Sequence, residues 1–513
     1  MASTNLKSGV SVSRTLVDMN LDIWHLILDQ IDSQKDLYNV CLTSRAWFAM
    51  AIPHLYKVVP LMLRPVKFPW EDREDMSFAR SLSRRLLDTD NEQLRNAVRE
   101  LDFGEFEDYD LEKMEKRLVA LVDCLPNLET VKVRSQLTQE VLRAITGHSK
   151  RISLHLLNED GKRSIEGDYD FRNVVALAAT VDPFDEEDGP NRDVLGIQKL
   201  LFACQNLTSF SLEEAGWYGG CVIGVRPRFE SVHSFQFSGD ETFPPLEELS
   251  LSGYRPRGAE RDHWRNKLQW SKLRSLTLGP QYTATFLDLA AGYAQSLRNL
   301  EVKVYTDADQ KTNCPPLEQF LMSFSSLESL SVRGYHLPVE TIKNHPGLKH
   351  LCLHSFESVE KEISRPTLDI DQLQELDKSC AYLEILEIDL SRDGKWPEQI
   401  LKTLATGFRN LQRLILHLEV GIEDVKECTF IEPILSEDSA RDVGQQFFKW
   451  RSSSKLSTLV LKTGEPLRRD PQWEPDSSCF ERRNAETMEV SNPWNTGGVP
   501  EVSVMQKSFY DYL

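Results

Sequence analysis

The sequence of 513 residues lacks a long apolar run, an excess of positive charge and any closely paired cysteines. Without a run of about 18 apolar residues there is no candidate membrane-spanning helix, and residues 1–18 contain no apolar segment typical of a secretory signal. The net charge of −19 argues against nucleic acid or an anionic membrane as the main partner, and it favours solubility or a basic partner. The nine cysteines form no C-x-x-C pair, so we expect reduced thiols in the cytoplasm or the nucleus.

The sequence motifs of common enzymes are also missing. The chain has no G-x-x-x-x-G-K-[ST] loop, no G-x-G-x-x-G, no G-x-S-x-G and no H-E-x-x-H. Paired carboxylates identify nothing in so acidic a chain. We therefore expect no catalytic residue and no cofactor, and an enzyme with an unrecognised site stays an alternative.

Residues 16–60 are the most informative stretch. They read as two or three short helices, too small to bury their own apolar faces, with Ile23 and Ile27 at helical spacing. A Ser-x-x-Asp box that begins at Ser33 predicts the start of a second helix. Pro53 is expected to start or break the segment that follows.

This stretch resembles the F-box in its divergent fungal form. The positions that match the family pattern in order are Asp22, Ile23, Ile27, Asp36, Leu37, Val40, Cys41, Arg45, Trp47, Pro53, Leu55 and Tyr56. Met19-Asn20 replaces the family's usual Leu-Pro, and Asn20 can cap the first helix instead.

The resemblance implies docking to the Skp adaptor of a cullin–RING ubiquitin ligase. The residues expected to contact the adaptor are Ile23, Ile27, Ile31, Leu37, Val40, Cys41, Trp47, Pro53 and Leu55. An ordinary helical cap on the following domain is the alternative interpretation.

The rest of the chain is dominated by a recurring unit, apolar-x-x-apolar-x-apolar. Copies begin at Leu128, Leu207, Val232, Leu246, Leu273, Leu297, Leu327, Leu348, Leu383, Leu411 and Leu456, after a weaker copy at Val98. The end of each unit predicts a short strand with alternate residues inward. One unit cannot bury its apolar face, but stacked units form a parallel sheet with a continuous core. Copies from Leu246 onward lie 21 to 45 residues apart, which predicts insertions between strands.

These patterns predict an α/β chain, with a short all-helical F-box followed by an irregular leucine-rich-repeat-like solenoid. The predicted parts are a flexible tail 1–15, the F-box 16–60, a helical connector and N-terminal repeat cap 61–124, the solenoid 125–463, and a C-terminal cap or disordered tail 464–513. Residues 284–295, 370–380 and 398–407 read as helices between strands. An unrelated α/β fold with parallel strands is the alternative.

Strand alternation predicts a polar concave face on the solenoid. The candidate substrate-binding residues on it are Lys303, Arg333, His350, Cys352, His354, Glu387, Asp389, Arg413 and His417. His350, Cys352 and His354 are side chains of zinc-ligand type on one strand. Side chains two residues apart on a strand diverge, however, and no fourth ligand is evident, so we predict no metal. Contact with a partner and plain surface are the alternative roles for these three residues. The acidic segment 182–190 and the aromatic segments 217–220 and 264–270 read as loops.

The function predicted from these parts is that of a substrate-recognition subunit of a Skp–cullin–F-box ubiquitin ligase. The F-box would bind the adaptor and, through it, the cullin–RING ligase, while the repeats would hold an unknown protein substrate. The alternative is a protein-binding repeat scaffold whose F-box is lapsed or not used for degradation.

Overall fold

The computed structural model describes residues 21–31, 33–61, 82–103, 111–133, 138–157, 171–181, 192–214, 235–279, 282–304, 315–355, 365–392, 394–419, 422–424, 429–430, 432–433, 435–451, 455–463, 486–491 and 501–504. The chain divides into two compact units. Unit 1 comprises Met1–Leu157 and Glu166–Val174, and unit 2 comprises Asn158–Ile165 and Val175–Leu513. The predicted tail 1–15 and the segments 182–190 and 217–220 lie outside the described residues.

Helices alternate with strands along most of the chain. The helices described up to residue 157 are α1 Leu21–Leu28, α2 Gln34–Thr43, α3 Arg45–Leu55, α4 at residues 82–87, α5 Glu92–Ala97, α6 Leu111–Cys124 and α7 Gln139–Gly147. Those that follow are α8 Arg192–Ala203, α9 Ala259–Lys267, α10 Thr283–Ala290, α11 Pro315–Met322, α12 Val339–Ile342, α13 Ile370–Ser379, α14 Glu398–Thr406 and α15 Glu437–Trp450.

The strands are short. Those up to residue 157 are β1 Val58–Leu61, β2 Glu100–Phe103, β3 Thr130–Val133 and β4 Ile152–Leu157. Those that follow are β5 Val174–Val181, β6 Ser209–Glu214, β7 Glu248–Ser252, β8 Ser275–Leu278, β9 Asn299–Lys303, β10 Ser329–Arg333, β11 His350–His354, β12 Ile385–Leu390, β13 Arg413–Leu418, β14 Ile422–Asp424, β15 Thr429–Phe430, β16 Thr458–Thr463, β17 Glu486–Ser491 and β18 Glu501–Val504.

Unit 1 begins with three helices, which agrees with the helical pattern of residues 16–60. Two serines cap them: Ser33 accepts a hydrogen bond from the backbone nitrogen of Asp36, and Ser44 accepts one from that of Trp47, both at 3.2 Å. These caps satisfy backbone donors that a helix start leaves without a partner. The prediction for Pro53 was wrong, because this proline lies in the last turn of α3 and neither starts nor breaks the helix.

The sheet of unit 1 starts earlier than predicted. Strands β1, β2, β3 and β4 pair in that order and are all parallel. The weak copy at Val98 is therefore a true strand unit, with Leu101 and Phe103 buried. The expected boundaries were wrong, because strand pairing begins at Val58 inside the segment assigned to the F-box and continues through the segment 61–124 assigned to a connector.

Unit 2 contains the predicted array of leucine-bearing strands. From β5 to β13, and on to β16, neighbouring strands are parallel and follow the order of the sequence. One leucine per strand occupies the same register position and is buried: Leu249, Leu276, Leu300, Leu330, Leu351, Leu386, Leu414 and Leu459. Each repeat packs its buried leucines against those of the neighbouring repeats, so unit 2 forms a leucine-rich-repeat-like solenoid.

The predicted strand at Phe235 and Phe237 does not form. Strand β6 pairs directly with β7, and the described residues from 235 to 247 contain no strand. The backbone nitrogen of Phe235 instead donates to Glu260 at 2.8 Å, and that of Gln236 donates to Gln198 at 2.7 Å. These side chains take up donors that a strand would need.

The segment that contains Phe235 and Phe237 packs into an aromatic cluster. Phe235 and Phe237 pack close to the ring of Trp264, which is fully buried in α9 and not part of a loop as predicted. The indole nitrogen of Trp264 donates to the Tyr254 hydroxyl at 2.8 Å, and that hydroxyl donates to Glu260. Glu260 also accepts from the backbone nitrogen of Arg257 at 3.0 Å, so one buried side chain of α9 holds both the segment at Phe235 and the segment from Tyr254 to Arg257.

Replacing Glu260 by glutamine is expected to lower the free energy of unfolding by about 1–2 kcal/mol. The amide keeps the shape of the side chain, but its NH₂ group faces donors and leaves at least one of them without an acceptor. Urea denaturation followed by circular dichroism measures the change, with Glu248→Gln on the exposed side of β7 as the matched control. An equal effect of both substitutions would contradict this role of Glu260.

The C-terminal end of unit 2 has a different strand direction. Strands β17 and β18 are antiparallel to their neighbours and extend the sheet beyond β16. Helix α15 packs on them, and a Cβ atom at Gly444 would clash with the side chain of Val490 on β17. A cap and a disordered tail were the two alternatives for residues 464–513, and residues 486–491 and 501–504 form strands that agree with a cap. The residues Trp473, Trp494, Phe509 and Tyr510 lie outside the described residues.

Candidate functional site

The three N-terminal helices have a small core of their own. It consists of Leu28, Leu37, Cys41 and Ala51, and the partly buried side chains packed against it are Ile31, Val40, Trp47, Met50 and Leu55. Five of the twelve residues that carry the F-box pattern therefore hold the helices together: Leu37, Val40, Cys41, Trp47 and Leu55. Their burial stabilises the three-helix module itself.

The residues of the expected adaptor-binding set differ in burial. Leu37 and Cys41 are buried, and Ile31, Val40, Trp47, Pro53 and Leu55 are half-buried. Among the predicted residues, only Ile23 and Ile27 are exposed. The sequence could not separate the two roles, because α2 has apolar residues on more than one side and helical spacing does not tell which side faces inward.

A different set of apolar side chains faces solvent on these helices. This apolar surface consists of Leu21, Ile23, Leu26, Ile27, Tyr38, Leu42 and Phe48. On α1, Leu21, Ile23, Leu26 and Ile27 are exposed, whereas Trp24 and Leu28 are buried. Five of the seven were missed as site residues, although the apolar character of both sides of α1 was a usable signal.

Polar and aromatic contacts fasten α1 to α3. Nδ1 of His25 lies 2.9 Å from Nε2 of His54, and Nδ1 of His54 lies 3.0 Å from a carboxylate oxygen of Asp29. The rings of Trp24 and Trp47 meet edge to face with centroids 4.6 Å apart. These contacts fix the orientation in which α1 presents its apolar side.

The sheet of unit 2 carries the candidate substrate-binding residues at the positions that alternate with the buried leucines. We call this side the open sheet face. Lys303 and His350 are exposed there, and Arg333 and Arg413 are half-buried. The other candidate substrate-binding residues, Cys352, His354, Glu387, Asp389 and His417, are buried, so a substrate on this face would not reach them directly.

The buried residues form a charged network with two carboxylates at its centre. Oε1 of Glu387 lies 2.5 Å from Nε2 of His417, 3.3 Å from Arg333 and 3.4 Å from Nζ of Lys462. Burial alone raises the pKa of Glu387, but the hydrogen bond from His417 and the positive charges of Lys462 and Arg333 outweigh it. The pKa of this carboxyl is therefore held well below its usual range.

Asp389 forms the second half of the charged network. Its carboxylate lies 2.7 Å from Nδ1 of His354, accepts from the backbone nitrogen of Ser355 at 2.7 Å and lies 3.4 Å from Arg365. Arg365 also donates to the backbone oxygen of His417 at 2.8 Å. No sequence pattern points to Arg365, which precedes α13 and becomes buried only through the fold.

The two histidines of the network stack on each other, with ring centroids 3.8 Å apart. Burial is the main cause that lowers the pKa of His417, and the hydrogen bond to Glu387 opposes it. The neighbouring Cys352 is also buried, and this raises the pKa of its thiol to about 12. A thiol that stays protonated is neither a nucleophile nor a good metal ligand.

The described parts of the chain contain no group of three or more His, Cys, Asp or Glu side chains placed to hold a metal ion. The His350, Cys352 and His354 strand is therefore not assembled as a metal centre. Among the same described residues, no helix has the length and apolar character needed to span a membrane.

Comparisons with known proteins give a limited result. No protein-family model and no curated protein matches the chain. Among solved structures, it is similar to the crystal structure of a TLR13–ssRNA13 complex (16% identity, TM-score 0.26, covering 64% of this chain and 41% of the other). It is also similar to the mouse RP105/MD-1 complex (16% identity, TM-score 0.30, covering 71% and 57%). The chain spans about half the length of these chains, and the fold assignment rests on the strand order described above.

Proposed function

We propose that this chain is the substrate-recognition subunit of a Skp–cullin–F-box ubiquitin ligase. Helices α1 to α3 act as the F-box that docks to the Skp adaptor, and the repeats hold a protein substrate. The observation that carries the proposal is the apolar surface: seven of the eleven large apolar side chains that are exposed among the described residues lie on these three short helices.

Such a concentration of exposed apolar groups is typical of a protein-binding surface. Burying one large apolar side chain contributes about 1.5–3 kcal/mol, so several of them supply the affinity of a stable complex. The match of twelve ordered positions to the F-box pattern supports the adaptor as the partner. Pattern residues such as Leu37 and Cys41 build the core, and Ile23 and Ile27 on α1 remain available for contact.

The proposed role in ubiquitin transfer is proximity. The repeats would keep a substrate lysine close to the ubiquitin-charged enzyme of the ligase, which raises its effective concentration at the thioester. No residue of this chain acts as a general acid or base in this mechanism. The buried and paired state of Glu387, Asp389 and the two stacked histidines is in keeping with a structural task.

Replacing Ile27 by aspartate is expected to weaken binding of the full-length chain to purified Skp adaptor at least about 30-fold, because a central apolar contact contributes about 2 kcal/mol or more. Leu26→Asp is expected to act in the same direction. Isothermal titration calorimetry measures the Kd, and circular dichroism verifies that the helices are intact. The matched control is Tyr382→Asp, which places the same charge on an exposed apolar residue of unit 2.

Native affinity in both α1 variants would refute this docking surface. Absence of binding by the unmodified chain would leave the alternative of a repeat scaffold with a lapsed F-box. Adaptor binding without cullin co-purification would indicate a scaffold that is not used for degradation. Leu37→Asp is unsuitable as a probe, because it would disrupt the core of the three helices.

A further inference from the structure

Two histidines on neighbouring helices of unit 1 contact each other directly, and we call them the imidazole pair. Nδ1 of His25 on α1 lies 2.9 Å from Nε2 of His54 on α3, with the ring centroids 5.2 Å apart. His25 is half-buried, and the side chain of His54 is only 10% exposed. Neither residue belongs to the core of the three helices or to the apolar surface, so the pair is a separate connection between α1 and α3.

The position of Asp29 assigns the protons of this contact. A carboxylate only accepts hydrogen bonds, so Nδ1 of His54, which lies 3.0 Å from Asp29, carries a proton. In a neutral His54 the other ring nitrogen, Nε2, then holds a lone pair, and Nδ1 of His25 donates to it. One added proton, on either ring, still leaves a donor on one side and a lone pair on the other. The contact therefore tolerates one added proton.

A second added proton is incompatible with the contact. All four ring nitrogens would then carry hydrogen, and two N–H groups would face each other across 2.9 Å. The two positive charges would also repel each other in a half-buried place, where water screens them weakly. A doubly protonated pair can exist only after the two rings have separated.

The neighbouring charges do not remove this conflict. The Asp29 oxygen that faces His54 also lies 3.6 Å from Nζ of Lys57, so this carboxylate is already shared with another cation. Helices α2 and α5 are the other helices that pack on α3. The remaining charged groups of α1, α2, α3 and α5 are Asp22, Lys35, Asp36, Arg45, Glu92 and Arg95, and none of these described residues forms a hydrogen bond or ion pair with either ring.

We propose that the imidazole pair is a pH sensor that controls how α1 presents the adaptor-binding surface. A helix of eight residues is not stable alone, so the order of α1 depends on its contacts with α3. The packing of Trp24 and Leu28 favours the docked helix at every pH, and acid shifts the balance towards the released one. The release follows from the contact itself, and only its effect on adaptor docking rests on the proposed function.

Hydrogen exchange of the full-length chain tests the release without any adaptor. Protection factors of peptides covering residues 21–31, measured by mass spectrometry, report the balance between docked and released α1. His25→Asn is the decisive variant, because its amide nitrogen is as many bonds from Cβ as Nδ1 and can donate to His54 but gains no proton. A released histidine is almost fully protonated at pH 5.0. Between pH 7.5 and pH 5.0 we therefore expect α1 protection in the native chain to fall at least about tenfold relative to His25→Asn.

Two further variants separate the imidazole pair from other causes. His350→Asn, at an exposed position of β11 in unit 2, should keep the pH dependence of the native chain. Asp29→Asn retains an acceptor for His54 but loses the negative charge, so α1 should be released at a higher pH than in the native chain. Equal losses of protection in the native chain and in His25→Asn would overturn the proposal. So would a pH-independent Asp29→Asn variant, because Asp29 would then be the titrating group.

Adaptor binding tests the consequence for docking. Isothermal titration calorimetry gives the Kd of the native chain and of His25→Asn at both pH values, and any titration of the adaptor itself affects the two alike. We expect the native chain to lose affinity relative to the variant at least about threefold at pH 5.0. An unchanged ratio of the two Kd values would overturn control of docking. Acid release of α1 without adaptor binding at either pH would refute the proposed function and leave the pH sensor established.

Discussion

Replacing Asp389 by alanine is expected to lower the free energy of unfolding by about 3–5 kcal/mol. Arg365 is almost fully buried, and Asp389 is its carboxylate partner at 3.4 Å. Removing one member of a buried ion pair leaves the other charge desolvated without compensation. The substitution also deprives His354 and the backbone nitrogen of Ser355 of their acceptor.

The experiment compares urea denaturation of this variant with that of Asp288→Ala. Asp288 is an exposed aspartate that also pairs with an arginine, Arg261, and its loss should cost less than about 1 kcal/mol. The double variant Asp389→Ala with Arg365→Met should recover part of the lost stability, because it removes the buried cation as well. Equal losses for the two aspartates would show that the network does not stabilise the fold.

The stability of the chain is expected to fall by about 3 kcal/mol between pH 6.5 and pH 4 because of one residue, His345. This histidine is fully buried and packs against the ring of Phe324. Burial lowers its pKa from 6.5 to about 4, and the backbone of Leu321 opposes this only partly. Below pH 6.5 the unfolded chain takes up a proton that the folded chain refuses, so acid favours unfolding until the folded form is protonated near pH 4.

Free energies of unfolding measured at several pH values test this expectation. His345→Phe removes the titrating group from an apolar site, and the curve of stability against pH should become flatter between 6.5 and 4. His350→Phe, at an exposed position of β11, is the control and should leave the slope as it is in the native chain. An unchanged slope in His345→Phe would show that other groups cause the acid sensitivity.

The repeat array could be predicted because its signal is local. Each Leu-x-x-Leu-x-Leu unit contains the residues that its own strand buries, and Leu276, Leu300 and Leu330 occupy equivalent positions in the sheet as expected. Strand β4 was missed because Arg151 stands where the unit needs an apolar residue. The strand expected at Phe235 failed because distant side chains, Glu260 and Gln198, bind its backbone.

The candidate sites were harder to predict because they depend on residues far apart in sequence. Alternation correctly assigned Glu387 and His417 to one sheet face, but their burial depends on the packing of distant segments around them. Arg365, which pairs with Asp389, belongs to a segment without a recognisable motif. In α2, the spacing of Leu37 and Cys41 predicts that they share one side of the helix, yet only tertiary packing makes that side the core.

The antiparallel strands β17 and β18 restrict how this protein can change in length over evolution. A parallel array can grow by duplication wherever a new unit meets a strand of its own direction. Strand β16 is already paired with the antiparallel β17, so a copy added directly after β16 would have to displace β17 from that edge. A unit duplicated between β10 and β16 would meet parallel strands on both sides, but it would change the spacing between Arg333, Glu387 and Lys462.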